Sequence, residues 1–235
     1  IFMSLNQLKS DLKKASNPKK AKLLSRFFKT DPGEYGEGDI FLGVIVPETR
    51  KIAVKHKDLS LNEVEQLLKS KIHEERLCAL LLLVHNYQKH SEKRDEIFNF
   101  YLKNTKYVNN WDLVDLSCHQ IIGVHLESKD RKILYELAKS SNLWEKRIAI
   151  ISTFNFIRYN EFSDSIKIAE ILLKDKHDLI HKAVGWMLRE VGKKDIAVLE
   201  SFLKEHYKSM PRTMLRYSIE KFPEKQRKAY LDGKA

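Results

Sequence analysis

Turn residues are scarce in this chain of 235 residues, with only eight glycines and five prolines. A sandwich or barrel of many short strands needs a turn about every 8–12 residues, so the scarcity excludes that class and favours helices. Cysteine is rarer still. Cys78 and Cys118 both sit in apolar helical contexts, and two such residues cannot form a disulfide framework. Long apolar runs are absent too. The longest, Ala79-Leu80-Leu81-Leu82-Leu83-Val84, falls well short of the ~20 residues of a membrane span and reads as a buried helix segment. The opening Ile1-Phe2-Met3-Ser4 is not a signal peptide, because Lys9, Asp11, Lys13 and Lys14 follow at once; Ile1 and Phe2 read as residues ahead of a native Met3. These absences predict a reduced, cytoplasmic globular protein with no membrane partner.

What the chain has in excess is positive charge, +11 overall, and its placement is uneven. Residues 1–30 carry eight Lys/Arg against Asp11 alone, a net +7, and residues 201–235 carry nine against four acids, a net +5. The rest is close to neutral. Two basic ends suggest a polyanionic partner, nucleic acid first; a Lys-rich surface chosen for solubility is the alternative.

Apolar residues recur at helical spacing nearly throughout. Leu5, Leu8 and Leu12 begin one helix, and Pro18 opens the next after the break at Ser16-Asn17. Four of the glycines fall in 31–43, the one clear loop. Further helices are predicted at 47–57, after Ser60, and at 74–88, 95–102, 111–126, 130–139, 144–157, 163–173, 179–191, 196–204 and 214–221, with no convincing strand. Paired helices at ~35–40-residue steps predict an all-α, HEAT-like or armadillo-type helical-repeat solenoid, read here as one domain over 1–235, with a concave face lined by the inner helices.

The three tryptophans all stand at or after residue 111. Trp111 and Asp115 are i, i+4 and share a helix face; Asn109 or Asn110 can cap the helix, and Asp112, in its first turn, is read as a capping side chain too. Asp115 lies too deep in the helix to be a cap. Trp144 is read as core, one turn before Arg147. Lys182, Trp186 and Arg189 share a face around Gly185, where a mid-helix glycine implies close approach to the backbone. The steps from Asp115 to Arg147 and on to Trp186 are each about one helix pair, so these residues are placed on neighbouring inner helices. His177 and His181 have metal-like i, i+4 spacing but no third ligand, and Cys118-His119 lacks a paired thiol pattern; neither is read as a site.

Four stretches carry a resemblance: 41–50 (Phe-Leu-Gly-Val-Ile-Val-Pro-Glu-Thr-Arg), 110–115 (Asn-Trp-Asp-Leu-Val-Asp), 142–147 (Asn-Leu-Trp-Glu-Lys-Arg) and 182–190 (Lys-Ala-Val-Gly-Trp-Met-Leu-Arg-Glu). In order and over nearly the whole chain they resemble the AlkD-type DNA alkylation-repair glycosylases, which are HEAT-like helical proteins. The resemblance implies Asp115 as catalytic carboxylate, Trp111 and Trp186 as aromatics on the sugar and backbone, and Arg147 as a DNA contact; Lys182 and Arg189 are assigned to DNA beside Trp186, where the Gly185 backbone is expected to let the DNA come close. It implies hydrolysis of the N-glycosidic bond of cationic N3- and N7-alkylated purines in duplex DNA. No base flipping is implied, in keeping with a groove that shows no obvious pocket. Neither a cofactor nor a metal is expected, and the chain is expected to act as a monomer. Some members carry Gln where this chain has Ile45 before Pro47. The competing expectation is a non-catalytic HEAT-repeat relative that binds DNA or another protein.

Overall fold

The computed structural model describes residues 4–235; the opening Ile1-Phe2-Met3 lies outside the described residues. The chain forms two compact units, the first ending at Ser117 and the second running Cys118–Ala235. Both are helical, and among the described residues there is no strand, only an isolated parallel bridge between Ile40 and Ile72.

The first unit contains α1 (Leu5–Lys14), α2 (Pro18–Phe27), α3 (Val46–Lys55), α4 (Leu61–Leu68), α5 (His73–Lys89), α6 (Arg94–Lys103) and α7 (Trp111–Asp115). Helix starts follow their caps. Ser4 accepts from Gln7 N, Asn17 accepts from Lys20 N just before Pro18, and Ser60 with Glu63 forms a reciprocal capping box. Helix α5 is apolar all round through 77–84, and its residues from His73 to Val84 are buried, so it is the core on which α1, α3, α4, α6 and α7 pack. By contrast α2 buries no residue fully.

The second unit contains α8 (Lys132–Ala138), α9 (Leu143–Ser152), α10 (Phe154–Arg158), α11 (Ser163–Leu172), α12 (Asp178–Lys194), α13 (Ile196–His206), α14 (Arg212–Ser218) and α15 (Glu224–Leu231). Here α12 is the central helix, touching α9, α10, α11, α13 and α14.

Two long predicted helices are broken. The one expected over 111–126 stops at Asp115, where the Ser117 hydroxyl donates to the Leu113 carbonyl (2.5 Å), and a π-helical turn follows at His119–Gly123. The one expected over 144–157 divides at Thr153, whose hydroxyl donates to Ile150 O (2.7 Å). Helix α15 was not anticipated, since it buries no side chain and carries little apolar signal.

Gly185 corrects a second expectation. What approaches its backbone is helix α14, not DNA: a Cβ placed there would lie 2.6 Å from the Met214 carbonyl oxygen and 2.5 Å from Tyr217 Cβ. In an open helix Gly→Ala would stabilise by up to about 1 kcal/mol. Here overpacking against a backbone oxygen, about 1–3 kcal/mol, outweighs it. Gly185→Ala is therefore expected to lower the melting temperature; an unchanged or higher one would mean that α14 does not pack this closely.

Candidate functional site

Helix α7 is only five residues long, yet it carries Trp111 and Asp115, and its start is fixed by side chains. Asn110 is the cap, accepting from Trp111 N (2.8 Å). Asp112, expected to cap, instead turns inward. It is buried, and one carboxylate oxygen accepts from His73 Nε2 at 2.8 Å. Asn110 already holds the cap position, which leaves Asp112 for the interior.

Trp111 and Asp115 are both half-buried and line one concave cavity of the first unit, about 420 Å³ in volume. The expectation of a groove without a pocket is thus corrected: the volume lies within the range of small-molecule sites. Its wall is aromatic. The Trp111 indole stacks on Phe28 (5.1 Å, 17°) and meets Phe27 edge-on (5.8 Å); Phe28 in turn stacks on Phe41 (5.1 Å). Ile45, about half exposed, and Pro47 complete one rim.

The loop that supplies Phe41 and Ile45 is held from below by a buried carboxylate. Glu74, at the start of α5, accepts from three consecutive backbone N–H groups: Leu42 (2.9 Å), Gly43 (2.7 Å) and Val44 (3.2 Å). Gly43 has φ +83°, and a Cβ there would lie 2.2 Å from Asn17 O, so the start of α2 rests directly on this loop. Glu74 therefore orients the loop, the loop seats α2, and α2 leads into Phe27 and Phe28.

Beside Glu74, His73 is buried between two carboxylates, Asp39 (Nδ1, 3.3 Å) and Asp112 (Nε2, 2.8 Å), and Arg76 pairs with the other oxygen of Asp39 at 2.7 Å. Burial pulls the imidazole pKa down; the charge and hydrogen bond of Asp112, with the hydrogen bond to Asp39, more than offset it and raise the pKa to about 9. Asp39 is lowered despite its burial, by His73 and Arg76.

The other predicted site residues lie in the second unit. Trp186 is half-buried, donates Nε1–H to Glu190 (3.2 Å) and lies 6.0 Å from the Phe154 ring. Lys182 pairs with Asp178 (2.6 Å), and Arg189 pairs with Glu190 and Glu220. Arg147 is buried and donates to Leu179 O at 2.5 Å. Trp144 is buried, as the core reading requires. His177 caps α12 by accepting from Leu179 N, and His181 bonds Asp175 O. Among the described residues no group of three or more His, Cys, Asp or Glu can hold a metal, and no helix is long and apolar enough to cross a membrane.

Sequence reasoning missed Phe27, Phe28, His73 and Glu74. The signal was the run His73-Glu74-Glu75-Arg76 at the head of the helix that holds the longest apolar run, since buried charges must find partners.

No curated protein matches this chain. A solved structure of a predicted DNA alkylation repair enzyme from Enterococcus faecalis superposes with a TM-score of 0.66 at 18% identity, covering 89% of this chain and 97% of that one, which shows a common fold. The family model described as DNA alkylation repair enzyme matches residues 8–222, and so the chain belongs to the DNA alkylation repair enzyme family.

Proposed function

We propose that the protein is a DNA glycosylase that hydrolyses the N-glycosidic bond of cationic N3- and N7-alkylated purines in duplex DNA. The observation that carries this is the carboxylate of Asp115 beside the Trp111 indole at an aromatic cavity, in a chain of this family. A cationic base is already a good leaving group, so no general acid is required. What the reaction needs is compensation for the positive charge that grows on the sugar as the bond breaks. A fixed carboxylate supplies it, and can orient the attacking water. The indole face of Trp111 adds cation–π attraction, about 0.5–2 kcal/mol.

The base reacts without being flipped. A flipped base is read by hydrogen bonds to its Watson–Crick edge, and the polar side chains of this cavity are largely committed elsewhere: Asp112 to His73, and Glu74 to three backbone amides. Ile45, in place of a polar residue, makes the rim more apolar still. Selection then rests on the charge of the lesion. In the second unit Trp186, Lys182, Arg189 and Arg147 are assigned to the DNA backbone. Arg147 is the most enclosed of these, so its substitution is expected to cost stability as well as affinity. The family match at 8–222 runs through both units, in keeping with reading 1–235 as one functional domain; the chain is taken to act as a monomer.

Phosphate contacts release counterions. With roughly five of them, log affinity for duplex DNA is expected to fall with log salt at a slope of about −4 to −5 and to depend little on sequence. Exposed Lys19, Lys20, Lys22 and Arg26 on α2 are the first candidates. A flat salt response would remove the electrostatic part of the proposal. The activity itself is tested by incubating the protein with methylated duplex DNA and measuring free 7-methylguanine. A non-catalytic relative would bind the duplex and release nothing.

A further inference from the structure

We infer that His73, as an imidazolium, is a positioning residue for Trp111 and Asp115, pinning the start of α7 against the aromatic wall of the cavity. The inference rests on the proposed activity for its kinetic consequences, but its structural content stands apart from it. Both ring nitrogens face carboxylates, Asp39 on one side and Asp112 on the other. A carboxylate only accepts hydrogen bonds, and a neutral imidazole has a single N–H. Only the doubly protonated ring satisfies both partners.

The network is balanced: His73 and Arg76 carry two positive charges against Asp39 and Asp112. It reaches α7 from both sides of Trp111. Asn110, the cap, donates Nδ2–H to Asp39 (3.3 Å), and Asp112 bonds His73, so the residues flanking Trp111 in sequence are tied to one cluster. The flat face of the imidazole adds a third contact. It stacks on Phe41 (4.5 Å) and lies 5.0 Å from Phe28, which carries the Trp111 indole on its own ring. Asp115 follows one helical turn later.

The charged groups around the ring are Asp39 from the loop, Arg76 of its own helix and Asp112 from α7, with Glu74 and Asp115 lining the same cavity. Because the folded-state pKa of His73 is raised, its contribution is fully present below the ordinary histidine value and is lost as pH rises through about 9. Above that pH the ring can donate to only one carboxylate, and Asp39 and Asp112 are left repelling across it.

Two measurements test this. In protein labelled with 5-fluorotryptophan, the ¹⁹F resonance of Trp111, assigned by Trp111→Phe, should move as pH is raised through about 9 in the wild type and stay still in the double variant His73→Gln/Asp112→Asn. A wild-type Trp111 resonance indifferent to that range overturns the inference, and this reading needs no activity. In single-turnover base release at neutral pH, His73→Gln should be slower by about 10²-fold, with DNA affinity nearly unchanged. The double variant, whose neutral amides can pair, should recover most of the rate. A His73→Gln rate equal to wild type also overturns the inference. If the wild type releases no base at all, the proposed activity fails, and the Trp111 resonance still decides the role of His73.

Discussion

Asp115→Asn is expected to slow single-turnover release of 7-methylguanine by about 10²–10³-fold, equivalent to roughly 3–4 kcal/mol of transition-state stabilisation. The substitution keeps the size of the side chain and its capacity to hydrogen-bond, and removes only the charge. Affinity for the duplex should hold or rise, because a negative group near phosphates has gone. That split between rate and affinity separates electrostatic catalysis from a structural role, since a misfolded variant would lose both. The position supports the test: Asp115 is at the last residue of α7, half-buried at the cavity, and is not the helix cap. A near-wild-type rate in Asp115→Asn would make the carboxylate structural and the mechanism wrong.

Glu74→Ala is expected to lower stability by about 3 kcal/mol or more, because it strands three backbone N–H groups that one buried carboxylate now accepts, and bonds to charged acceptors contribute about 1.5–3 kcal/mol each. For a chain of this size that is a fall in melting temperature of about 6–12 °C. Glu74→Gln should also be destabilising, since its amide nitrogen would face N–H donors. The loss should spread to the cavity wall, because the loop at 42–44 seats α2 and thereby Phe27 and Phe28. Thermal unfolding of Glu74→Ala within ~2 °C of the wild type would show that the loop keeps its shape without this clamp.

The helical character was legible because 3.6-residue periodicity is a local property, repeated in almost every segment. The breaks at Ser117 and Thr153 were not, because each depends on a hydroxyl turning back to a carbonyl one turn earlier, a choice that the apolar pattern does not record. Trp111 and Asp115 were legible as a pair for the same local reason, being one turn apart on α7. Their surroundings were not. Asp39, His73 and Asp112 are brought together from three distant stretches of chain, and each looks in isolation like a loop acid, a surface histidine and a helix cap. Gly185 shows the converse error. The sequence revealed that something approaches the backbone there, but only the packing of Met214 and Tyr217 shows that the visitor is part of the protein.

The central claim is that charge on the lesion and a carboxylate at Asp115 together suffice for base excision. The most direct measurement is single-turnover release by the wild-type protein from two duplexes identical but for one base, 7-methylguanine in one and neutral hypoxanthine in the other. The account predicts free 7-methylguanine with a matching abasic site, and intact hypoxanthine in a duplex bound with similar affinity. Release of hypoxanthine at a comparable rate, or binding of the methylated duplex without release of any base, would contradict it.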